Sequence, residues 1–136
     1  MLYILTAALT LRLIAIHQFG PSVIKFGDAA DYLSAAKSLC SSSTYPDRGS
    51  LPFFRAPGLP FFIAGVTWCH SERIVWVKVA LALLDTMTVL LVFLLAEELF
   101  RLRRVSLLSG AMAALYPFFI FQVCDVQSEE IGRAHV

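Results

Sequence analysis

The sequence predicts an all-α integral membrane protein, with three transmembrane helices and two interfacial helices in a long external first loop. Two observations carry that prediction. Hydrophobic residues make up 58% of the chain and charged residues 15%, against averages of about 45–50% and about 25% in soluble domains. Three stretches also approach the roughly 20 apolar residues that cross a bilayer core as a helix. They are about residues 2–19, 74–100 and 105–123, read as part of a larger polytopic bundle.

The first stretch is interrupted by Arg12. No basic residue precedes it and "HQFGPSVIKF" offers no cleavage site, so it reads as a retained span rather than a signal peptide. Arg12 is expected to pair with a group outside this chain. Residues 28–40 then carry an apolar stripe at helical spacing: Ala29, Tyr32, Leu33, Ala36, Leu39 and Cys40. Asp31, Ser34, Lys37 and Ser38 occupy the opposite face, which makes a short amphipathic helix suited to a membrane surface. The serines, Gly and Pro of "SSSTYPDRGSLP" make a loop. The apolar run "PGLPFFIAGVTWC" has 13 residues, too few to span, and suits an interfacial or re-entrant helix. Phe53, Phe54, Phe61, Phe62 and Trp68 fit the headgroup level. In the second span Lys78 and Asp85 are seven residues apart and share one face. Charges there are costly, so packing and neutralisation against neighbouring spans is the expected role. The third span ends in "YPFFIFQV".

Topology follows from the short basic connector "FRLRRVS", because Arg and Lys in short loops stay cytoplasmic. Arg101, Arg103 and Arg104 then lie inside, the first span runs in to out, and the loop of residues 20–73 is external. Counting 57–69 as a full span would reverse this. The net charge of +1 gives no electrostatic support for nucleic-acid binding. Cys40, Cys69 and Cys124 form no CxxC or His/Cys cluster and read as buried small hydrophobes. The terminal "IGRAHV" can be written ATC GGA AGA GCA CAC GTC, which resembles a sequencing adapter. Residues 131–136 are therefore read as a non-native tail, and 1–130 as the N-terminal part of a longer membrane domain.

Two carboxylates, Asp28 and Asp31, open the amphipathic helix with the spacing of a capping box. Capping accounts for both. It is also compatible with a second role, since an acid fixed at a membrane surface can orient or deprotonate an acceptor hydroxyl. Arg55, in "FFRAPGLP", can grip a lipid-linked phosphate or snorkel among headgroups. Lys78, near the outer end of its span, can assist it, and Tyr32 is placed with these residues as substrate-binding. Glu129, in "DVQSEE", follows the third span on the same side as Asp28.

The order of these pieces resembles polytopic glycosyltransferases of the C-type fold, the family of the dolichyl-phosphate-mannose protein mannosyltransferases and the lipid A aminoarabinose transferase. The matching features are the Arg-containing first span, "GDAADYLSAAKSL", "FFRAPGLPFFIAG", the long span ended by arginines, and "YPFFIFQVCDVQSE". The resemblance implies a bacterial inner-membrane enzyme that uses a polyprenyl-phosphate-linked sugar on the non-cytoplasmic side. The family's first-loop catalytic acid falls on Asp28, and the acid after its third span falls on Glu129. Two positions depart from the pattern. The mannosyltransferases have Asp-Glu where this chain has Asp28-Ala29, and the aminoarabinose transferase has a glutamate where this chain has Arg55. These acids hold a divalent metal in some relatives and not in others, so the cofactor is left open, as are the sugar and the acceptor. Two other readings stand beside this one: a transporter or flippase piece, and a small non-catalytic membrane protein with Asp28 as a cap.

Overall fold

The computed structural model describes residues 1–19, 27–42, 57–70 and 73–124, with side chains from Asp31 onward in the second segment. Among the described residues six helices follow one another: α1 (Leu2–Phe19), α2 (Gly27–Ser42), α3 (Gly58–Thr67), α4 (Ile74–Phe100), α5 (Arg103–Leu115) and α6 (Pro117–Gln122). No strand forms among the described residues. Helices α1 and α4 are long and apolar enough to cross a membrane, and each buries only 22% of its apolar window within the chain. At 1.5 Å per residue, α4 is about 40 Å long. One face of α4 is covered. The other exposes Leu83, Leu84, Met87, Leu91, Leu94 and Leu95, a run of large apolar side chains along one face.

The helices meet along three layers. At the start of α4, Ile74 and Val77 pack with Tyr32 and Ala36 of α2 and Ile63 of α3. Further along, Ala82 meets Ala15 and Ile16 of α1 with Val123 and Cys124. Beyond that, Val89 meets Ala8 of α1 and Ala114 of α5. Positions rise along α4 as they fall along α1, so the two helices are antiparallel. Ala8, Ala15, Ala82 and Ala114 are small, which lets the helix backbones approach closely. Gly110 of α5 lies against Phe93 of α4, where an added Cβ would sit 3.4 Å from the Phe93 Cβ.

The amphipathic stripe is met in part: Tyr32 and Ala36 are buried, Leu33, Leu39 and Cys40 half-buried, and Ser34 and Lys37 exposed, while Ala35, outside the stripe, is buried as well. The stripe packs with residues of α3 and α4. Helix α3 occupies the short apolar run and packs on both α2 and α4. It ends where Trp68 and Cys69 adopt left-handed backbone, φ 51° and 61°. The Cys69 N–H then returns to the Ala64 carbonyl at 3.2 Å and closes the helix end.

The structure corrects the reading of two cysteines. Cys40, near the end of α2, and Cys69, just past α3, form a disulfide with Cα atoms 5.6 Å apart. Packing α2 on α3 brings together residues 29 apart in sequence. Cys124 is outside the disulfide and buried, as expected of a small hydrophobe.

The third apolar stretch is not one helix. Pro117 lacks an N–H and disfavours α-conformation in the residue before it. Tyr116 is accordingly extended (φ −64°, ψ 116°), and the stretch divides into α5 and α6. Neither part is long enough to cross a bilayer alone. Phe119 meets the Tyr116 ring edge-on at 5.2 Å, and Phe121 meets Phe19 of α1 at 5.3 Å, which fixes α6 against α1.

Candidate functional site

Of the residues singled out from sequence, the fold places three. Asp28 is the second residue of α2, inside the first turn and not at the N-cap of a capping box as its spacing suggests, because the helix already begins at Gly27; a carboxylate in the first turn is favoured by the helix dipole. Its side chain lies outside the described residues, as do Arg55 and Glu129 entirely. Tyr32 is 1% exposed and packs against Ile74 and Val77. Lys78 follows directly on α4 and is 0% exposed. Tyr32 of α2 and Ile74 and Val77 of α4 thus share one cluster, with Ile63 of α3 packed among them. The Tyr32 and Lys78 side chains are both closed off from solvent within the chain.

A polar centre that sequence reasoning missed lies one layer deeper. Arg12 was expected to pair outside the chain; instead its Nε donates to the Asp85 carboxylate on α4. Its Nη1 donates to the Ala8 carbonyl at 2.9 Å and to the Ala114 carbonyl at 3.3 Å. The second bond follows from the break at Tyr116. Residue 118 would bond back to Ala114 in a continuous helix, and the break leaves that carbonyl to the guanidinium. A backbone group freed inside an apolar layer is thus satisfied again. Nη2 finds no hydrogen-bond partner among the described residues.

Asp85 is 16% exposed and opens onto a cleft of about 260 Å³ between α4 and α6. Leu81, Leu84 and Thr88 line it on one side, Phe119, Gln122 and Val123 on the other. The signal for this pair was one opposite charge in each of the two span-length helices: Arg12 seven residues from the end of α1, and Asp85 eleven from the start of α4.

No group of three or more His, Cys, Asp or Glu that could hold a metal ion occurs among the described residues. Comparison with family models, curated proteins and solved structures finds no match to this chain.

Proposed function

We propose that this chain is the N-terminal part of a polytopic membrane glycosyltransferase, which moves a sugar from a polyprenyl-phosphate donor to an acceptor hydroxyl at the non-cytoplasmic face. The observation that carries the proposal is the α2–α3 hairpin. It lies between two span-length apolar helices, opens on Asp28, and is closed by the Cys40–Cys69 disulfide. Disulfides persist in oxidising compartments. That supports an external hairpin independently of Arg101, Arg103 and Arg104, which favour a cytoplasmic α4–α5 connection. In this orientation α1, α4 and the α5–α6 pair each cross the bilayer, the last as a broken span of residues 103–122.

In the reaction, the acceptor oxygen bonds to the anomeric carbon and the bond from that carbon to the phosphate oxygen breaks. Asp28 takes the hydroxyl proton or orients the hydroxyl. Arg55 neutralises the departing lipid phosphate, where negative charge develops. Glu129 completes the site. Lys78 joins it only if α2 shifts on α4, because Lys78 is covered in this conformation. Tyr32 positions the start of α2 on α4.

A second reading, a transporter, draws on the broken α5–α6 helix and the buried Arg12–Asp85 pair, both of which occur where solutes cross membranes. The intact gene tests both against a small non-catalytic protein. Continuation past Glu129 into many further apolar segments is the expected result. A stop near Val136 would leave too few helices to enclose a lipid-linked sugar and would overturn the enzyme reading.

A further inference from the structure

A groove of about 350 Å³ runs between the end of α3 and the start of α4. Its character changes along its length. At the top stands Arg73, exposed, with no carboxylate paired to it among the described residues. Trp68 and Trp76 form the rim, 78% and 61% exposed. Below them Val66, Val79 and Leu83 make an apolar floor. From Arg73 to Leu83 the helix descends about 15 Å, about half of a bilayer's hydrocarbon thickness and so one leaflet. The floor continues into the bare face of α4 at Met87 and Leu91.

We propose that this groove binds one anionic glycerophospholipid of the surrounding leaflet. Its phosphate sits on Arg73 and one acyl chain lies along Val79 and Leu83. A guanidinium matches phosphate oxygens in a bidentate fork. Indole rings prefer the interface between headgroup and chain, the level the two tryptophans mark. The bound lipid fills the gap between hairpin and span and seats α3 at a fixed depth. The site rests on the membrane reading of α4.

The test uses the full chain in phosphatidylcholine nanodiscs containing phosphatidylglycerol, with retained lipid identified by native mass spectrometry. Phosphatidylglycerol should be retained about fivefold over phosphatidylcholine, the effect of one cation near an anionic headgroup. Arg73→Gln should remove the preference and Arg73→Lys should keep part of it. Equal retention of the two lipids by the wild type, or an unchanged preference in Arg73→Gln, would overturn the proposal. So would selective retention of an added polyprenyl phosphate over phosphatidylglycerol, which would make the groove a carrier-lipid site. Alkaline extraction of membranes separates the two levels. Release of the chain would overturn the membrane reading and the lipid site together, whereas firm retention without lipid preference would overturn the lipid site alone.

Discussion

Arg12 holds three oxygens from three helices at once: the Ala8 carbonyl of its own helix, Asp85 of α4 and Ala114 of α5. Removing one partner of such a buried pair leaves a charge stranded in apolar surroundings, a loss of about 3–5 kcal/mol. Arg12→Ala is therefore expected to destabilise the chain strongly in detergent unfolding. Arg12→Met combined with Asp85→Leu should recover most of the loss, since apolar residues of similar volume replace such pairs at little cost. A double variant as unstable as Arg12→Ala would contradict this account of the pair. Lysine should not substitute for Arg12, because a point charge cannot serve divergent acceptors as a planar fork does. Both charges were plain in the sequence. Their partnership was not, because it depends on the antiparallel register of α1 and α4, which seats Ala15 on Ala82 and Ala8 on Val89. Asp28, by contrast, was legible as the opening of α2 from the stripe that follows it.

Helices were legible where hydrophobic pattern and backbone agree. Residues 2–19 and 74–100 form α1 and α4 as read, and the polar face at Ser34 and Lys37 marked α2. Hydropathy is blind to a missing N–H, so residues 105–123 read as one span although Pro117 divides them. Pro117→Ala should join α5 to α6. The Ala114 carbonyl would then return to the helix ladder, and Arg12 would lose that acceptor. Slower amide exchange across residues 113–118 together with lower stability is the expected outcome, and unchanged exchange would count against it. Periodicity cannot see the disulfide either, since the pairing of Cys40 with Cys69 exists only once α3 lies on α2. Closing a loop of this length contributes about 3–4 kcal/mol. Cys40→Ser with Cys69→Ser should accordingly loosen the hairpin and speed its proteolysis while α1 and α4 stay protected. A maleimide mass-tag should shift the intact chain further after reduction, and equal shifts with and without reductant would refute the bond.

At the scale of the whole molecule, the described residues are all-helical as the sequence predicts, and two helices, α1 and α4, are long and apolar enough to cross a membrane. The site is less legible in the fold than its scaffold. Tyr32 of α2 joins the cluster at the start of α4, whereas Arg55 and Glu129 lie outside the described residues. In the proposed orientation, which the arginines after α4 and the disulfide before it both favour, the α2–α3 hairpin with Asp28 lies on the face where a polyprenyl-linked sugar would be used. The account therefore turns on the carboxylate of Asp28. The measurement that tests it most directly is release of polyprenyl phosphate from a panel of polyprenyl-phosphate sugars, in membranes carrying the intact gene with Asp28 or Asp28→Asn. The account predicts that the wild type releases it and that Asp28→Asn lowers the rate at least about 100-fold, the lower end of what a positioned acid or base supplies, at unchanged protein level. Equal release by the two would contradict the catalytic role of Asp28, and no release by either from any sugar in the panel would contradict the glycosyltransferase reading itself.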